Sequence, residues 1–378
     1  MFRFIHSSDL HLGKPFGRHN EDVRGRLRQA RHGALSRLAD AARTSGAKHV
    51  LLAGDTFDQE TPAPTITRQA LNEMAQADDI IWILMPGNHD SLAASELWLT
   101  INRDKPDNVM LALTSEPIAL ECAYLLPAPC TARNPGRDLT IDMAQPTPEG
   151  AMRIGLGHGG IHDFDSHGTV VAEGPSGTIA PDRATQAGLD YLGLGDWHGQ
   201  IRVSPNTWYS GTPEPDSFKH VQCGLALAVA LSGGGGSPEV TPVKTGEIQW
   251  QRAALELTPE DDPTALIEAA LPTLATRRDT LFHVTLSGRV GVQQIQDFKA
   301  SLARVGPDFL NLTQDLGNVK LAHEIADLEA IDPSGGALRQ AAESLAERAQ
   351  DEDLSAGDRR IASTALSQLF SFVAEQPS

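Results

Sequence analysis

The chain has 378 residues, enough for two or three domains rather than one core. Its 40% hydrophobic and 21% charged residues are those of an ordinary globular protein, and no apolar run approaches the about 18 residues that a membrane span requires. The formal charge of −18 argues against broad electrostatic attraction to nucleic acid, although a local basic patch or bound cations can offset it. Cys122, Cys130 and Cys223 are scattered and fit neither a disulfide framework nor a zinc-ligand spacing. The sequence opens directly on a strand pattern with no charged leader, so the expected location is cytoplasmic.

In chain order, "FRFIHSSDLH" is a short apolar run ending at Asp9 and His11. Leu27, Ala30, Ala34, Leu38 and Ala41 then recur at helical spacing up to Gly46. "KHVLLAGDTFD" is a second buried run that ends at Asp55 and Asp58, followed by a helix over "TITRQALNEMAQ". "IIWILMPGNHD" is a third strand, stopping at Asn88, His89 and Asp90. Further on, "MRIGLGHGG" ends at His158 and "LDYLGLGDWHG" at Asp196 and His198. Continuous apolar strands alternating with helices indicate an α/β sheet covered on both faces.

"LALAVALSGGGGSPEVTPVKT" reads as two strands around a glycine loop, and "EIQWQRAALEL" as completing the core's strand layer. The polar, proline-bearing "LTPEDDPTAL" marks the expected boundary, giving a core over 1–257, a small α+β domain over 262–324 and a helical tail over 325–378. In the tail, Ile361, Ala365, Leu369 and Val373 repeat every four residues beside Leu366 and Phe370. Such a stripe either packs on its own domain or docks a partner through an amphipathic helix.

Five apolar runs therefore stop in small turns carrying Asp, Asn or His. Loops at the carboxyl ends of strands in such sheets converge on one crevice, so these residues share a single position although some are nearly 190 positions apart. Oxygen and imidazole donors without thiolate suit borderline-to-hard divalent ions such as manganese, iron or zinc. Seven donors exceed one tetrahedral ion and suit two ions that share a carboxylate. Other histidines carry no such pattern. His6 lies within the first strand and reads as a core residue, and "IHDFDSH" after His158 reads as an acidic solvated loop.

"DLH", "GDTFD", "GNHD", "GHGG" and "GDWHG", in this order, resemble the motif set of calcineurin-like metallophosphoesterases. "HSSDLHLGKPF" and "WYSGTPEPDSF" resemble the SbcD-type DNA repair exonucleases, nuclease partners of long coiled-coil ATPases. The resemblance, over residues 1 to about 230, implies a two-layered sheet sandwich flanked by helices, with the 281–321 region as a cap that grips DNA. It assigns Asp9, His11 and His198 to one metal, Asn88, His158 and Asp196 to a second, and Asp55 to a bridge between them. His89 becomes the acid that protonates the leaving alkoxide, with Asp58 orienting it. Two divalent ions, manganese first with iron or zinc as alternatives, are implied as cofactors.

The implied activity is hydrolysis of DNA phosphodiester bonds. Its rivals are a phosphoesterase acting on nucleotides or other small diesters, and a non-catalytic DNA-binding subunit of an ATPase complex. Pairing of two copies through "SLAASELWLTIN", anchored by Trp98, is a further expectation from the same resemblance. One departure stands out. Related nucleases read Gly-His-x-His where this chain has Gly195-Asp196-Trp197-His198, so a carboxylate takes the place of an imidazole.

Overall fold

The structure, a computed structural model, describes residues 1–161, 178–219, 224–233, 235–258, 260–321, 335–351 and 353–374. The "IHDFDSH" stretch beyond Ile161 lies outside these residues. The chain divides into two units, Met1–Gln249 and Trp250–Ser378.

The first unit begins with β1 (Phe2–Ser7), β2 (His49–Ala53), β3 (Ile81–Met85) and β4 (Val109–Leu111). β5 (Ile118–Ala119), β6 (Ala123–Ala128), β7 (Met152–His158), β8 (Tyr191–Gly195), β9 (Ile201–Ser204) and β10 (Thr207–Tyr209) follow, then β11 (Leu225–Leu231) and β12 (Glu239–Lys244). They form two six-stranded sheets, ordered β12-β11-β1-β2-β3-β4 and β5-β6-β7-β8-β10-β9. Strands β1 to β4 run parallel to one another, as do β6, β7 and β8.

Alternation along each strand builds two cores from one sheet. Val50, Leu52, Trp82 and Leu84 face helices α1 (Glu21–Ser45), α2 (Pro64–Gln76) and α3 (Ser95–Asp104), meeting Leu38, Met74 and Ile101. Their neighbours Leu51, Ala53, Ile83 and Met85 face the second sheet, meeting Leu125, Ile154, Leu156 and Tyr191. The first sheet is thus covered by helices on one face and by another sheet on the other, which explains its near-continuous apolar strands. In α1 the stripe read from the sequence is the buried face. Asn20 caps the start by accepting from the Val23 amide, and Gly46 ends it at φ +67°.

The second unit holds a three-stranded sheet, β13 (Gln249–Leu257), β14 (Thr280–Val290) and β15 (Asn311–Leu321). β14 and β15 are parallel, and the helix Val292–Val305 that links them buries Phe298 and Leu302. The strand "QWQRAALEL" differs from its expected place. It pairs in this second sheet, because Leu257, with Ala253 and Leu255, packs against Phe282, Val284 and Phe298. The tail forms helices Ala337–Gln350 and Ala356–Ala374, with Leu366 buried against Ala342 and Ala346 and Ile361 exposed. Among the described residues no helix is long and apolar enough to cross a membrane.

Trp98 does not fit the role of an exposed pairing anchor. It is buried, and its indole N–H donates to the carbonyls of Asp90 at 2.7 Å and Ser91 at 3.2 Å, so it holds the turn after β3 from within. Leu99 is the exposed apolar residue of that helix.

His6 sits in the fully buried interior, its Nδ1 2.9 Å from the Tyr191 hydroxyl, and burial pushes its pKa down to about 3. The folded pKa lies below the ordinary 6.5, so between these values the unfolded chain binds a proton that the folded chain refuses. Stability should fall as pH drops through this window, by up to about 1.4 kcal/mol per pH unit from this group. Urea denaturation between pH 6.5 and 4 should show a shallower slope for His6→Gln than for the parent. Identical slopes would remove His6 as the source.

Candidate metal centre

The candidate ligands sit where parallel strands stop. Asp9 and His11 follow β1, Asp55 follows β2, Asn88 and His89 follow β3, His158 ends β7, and Asp196 and His198 follow β8. The loops after β1 and β2 continue the strands' pairing, with the Asp9, His11 and Leu12 amides donating to the Gly54, Asp55 and Thr56 carbonyls. Asp9, His11, Asp55 and Asp196 all adopt positive φ, at 57°, 44°, 54° and 100°. Asp and His are among the residues that tolerate this region, and such strain persists where the surroundings over-determine it. Glycine is required where the turns meet. A Cβ on Gly87 would lie 2.2 Å from Asp55 Oδ1, and one on Gly54 would lie 2.3 Å from His158 Nδ1.

Asp55 stands in the middle. Its Oδ1 accepts from the His89 amide at 2.8 Å and lies 3.5 Å from His158 Nε2, while its Oδ2 lies 3.6 Å from His11 Nε2. The ligand atoms of Asp9, His11 and His198 fall within 4.8 Å of one another, as do those of Asp9, Asp55 and His158. His11 Nε2 and His198 Nε2 are 3.1 Å apart. Asp196 is set differently. Its amide reaches both Asp9 carboxylate oxygens at 3.2 Å, and its Oδ1 accepts from Asn88 Nδ2 at 3.3 Å and lies 3.9 Å from His158 Nε2.

The imidazoles are oriented through Nδ1. That of His158 donates to the Ala53 carbonyl at 2.8 Å, that of His89 to the Asp58 carbonyl at 2.8 Å, and that of His198 lies 3.1 Å from Asp216 Oδ2. This leaves Nε2 as the ligand or proton-carrying atom. Asp58 therefore acts on His89 through its main chain. Its carboxylate instead lies 3.3 Å from His11 Nδ1, because the chain turns between Asp55 and Asp58 and aims that side chain back across the first motif.

The electrostatics call for cations. Burial and the nearby Asp9 and Asp55 charges raise the Asp196 pKa. Burial opposes ionisation of Asp55, but His158 and His11 outweigh it and hold the carboxyl below its usual range. Asn88 Oδ1 and His158 Nε2 are buried without a hydrogen-bond partner. Orphaned acceptors beside buried carboxylates are what divalent cations would satisfy, and the oxygen and imidazole set fits two such ions.

Two further carboxylates complete the centre. Asp90, fully buried, accepts from the Phe57 amide at 3.0 Å and the Gly87 amide at 2.7 Å, tying the β3 turn to the β2 loop. Asp216 faces His198 Nδ1, Lys14 Nζ at 2.6 Å and Arg31 at 3.8 Å. Asp216 and Lys14 both lie in the two long phrases quoted for the nuclease resemblance, so a signal existed. Partners roughly 200 residues apart cannot be paired from spacing.

Residues 2–179 match the model of the calcineurin-like phosphoesterase family. The chain is 23% identical over 295 residues to YhaO of Bacillus subtilis (strain 168), an uncharacterized metallophosphoesterase; the match spans 73% of this chain and 68% of that one. The crystal structure of TT1561 from Thermus thermophilus aligns with 65% of this chain and 99% of its own at 8% identity, with a TM-score of 0.40.

Asp216→Asn should fold normally yet bind manganese about 10–100-fold more weakly at the position His198 serves, the span seen when a ligand's supporting hydrogen bond is lost. Calorimetric titration of the metal-free protein with manganese measures this, and unchanged affinities would show that Asp216 does not position His198.

Proposed function

We propose that this protein is a metallophosphoesterase that hydrolyses DNA phosphodiester bonds and acts as a repair exonuclease. The observation that carries the hydrolytic part is His89, whose ring meets that of His11 edge-on at 4.8 Å while its Nδ1 is tied to Asp58. Asp9, His11 and His198 would hold one ion, and Asn88, His158 and Asp196 the other, with one oxygen of Asp55 turned to each. When bound, two divalent ions supply Lewis acidity toward the phosphate and activate the attacking water. His89 Nε2 then delivers a proton to the departing alkoxide oxygen, and the Asp58 carbonyl keeps the ring in place for it.

The two long phrases shared with the nucleases and the β-α-β unit over residues 280–321 support DNA as the substrate. On this reading manganese, or iron or zinc, is the metal, the protein works in the cytoplasm, and a coiled-coil ATPase is its partner. The formal charge of −18 favours the rival substrate class of nucleotides and small diesters. Manganese-dependent degradation of linear duplex DNA, run beside bis-p-nitrophenyl phosphate, separates the two. Both substrates should be cleaved, and diester hydrolysis without DNA cleavage would favour the rival.

His89→Ala should retain both metals while losing about 10²–10⁴ in turnover, the usual contribution of one acid-base group. Metal content and steady-state rates measured on the same preparation check this. Metal loss as severe as the rate loss would make His89 a ligand instead.

A further inference from the structure

Beside the centre, among the described residues, lies a cavity of about 280 Å³. Its lining includes Asn88, His158 and Asp196 and the loop that carries Arg133, Asn134 and Arg137. The loop is fixed at both ends. Cys130 donates its amide to the Pro86 carbonyl at 3.1 Å and accepts from the Leu92 amide at 2.9 Å, on either side of the turn that bears Asn88 and His89. At the other end Asp138 receives Arg183 at 2.7 Å and the Thr140 amide at 2.9 Å. The backbone of this loop is thereby anchored beside the turn that bears Asn88 and His89.

Their charges are not equivalent. Arg137 pairs with Asp142 at 2.9 Å, whereas Arg133 has no carboxylate partner among the described residues. In a phosphoesterase, a guanidinium that lines the same small cavity as an acidic centre can serve as a bidentate donor to another phosphate of the same substrate. The volume falls just below the about 300–1,000 Å³ of small-ligand pockets, which suits part of one nucleotide rather than a duplex.

We infer that this cavity, with Arg133 as its anion-binding residue, receives the nucleotide next to the scissile bond and grips its outer phosphate. The inference rests on the phosphodiesterase reading and deepens it by naming what lies beyond the reacting phosphate. It makes Arg133 a substrate-binding residue that discriminates between substrates with one phosphate and those with two.

The test uses the manganese-loaded full chain and three substrates: bis-p-nitrophenyl phosphate, thymidylyl-thymidine, and thymidylyl-thymidine with a terminal phosphate. Arg133→Ala should raise KM for the phosphate-bearing dinucleotide roughly tenfold or more, the scale of one charged hydrogen-bonded contact. Its kcat, and both constants for bis-p-nitrophenyl phosphate, should change less than about twofold, and Arg133→Lys should recover part of the loss. An equal KM rise on all three substrates, no rise on any, or hydrolysis of bis-p-nitrophenyl phosphate alone by the parent would overturn the inference by itself. A parent that cleaves none of the three would overturn the phosphodiesterase reading and this inference with it.

Discussion

Two carboxylates buried side by side are the constraint on which the rest of the first unit depends. Asp9 and Asp55 end adjacent parallel strands, are almost inaccessible, and carry charges that repel in a low-dielectric setting. Water cannot relieve them there. Relief comes from main-chain amides of His89 and Asp196, from imidazoles aimed by their Nδ1 atoms, and from cations that the orphaned acceptors of Asn88 and His158 invite. The left-handed backbone at four ligand positions, and the glycines that let turns touch, follow from the need to bring these groups within a few ångströms.

The sandwich supplies that proximity. Helices alone could not carry residues from β1, β2, β3, β7 and β8 to one edge, because each strand contributes one turn and the turns must be neighbours. Parallel pairing within each sheet puts like ends together, and the apolar layer of Leu51, Ile83, Leu125 and Ile154 holds the two edges opposite each other. The second unit has its own core around Phe298 and Phe282.

Much of this was legible from residues alone. Apolar runs of five to seven residues with abrupt polar stops gave β1, β2, β3, β7 and β8 and the candidate ligands together, since both follow from one local pattern. The stripe in α1 was equally plain. What escaped was everything that depends on partners distant in the chain. Asp216 meets Lys14 and His198 only through the fold, and Trp98 reads as a surface anchor until its indole is seen under the Asp90 turn. Asp58 shows a subtler limit, because sequence names a side chain where the main-chain carbonyl does the orienting. The strand from Gln249 was misplaced for the same reason: alternation gives a strand, and only cross-strand packing tells which sheet it joins.

The Asp90 turn has one more consequence. Its carboxylate clamps two main-chain amides and its carbonyl receives the Trp98 indole, so the segment bearing Asn88 and His89 is tied down by protein contacts. The conformational entropy of ordering that segment is spent during folding, before any cation arrives. An ion bound there would meet a segment the fold has already ordered, and would stabilise the unit by mass action, the more so the further its free concentration exceeds its Kd.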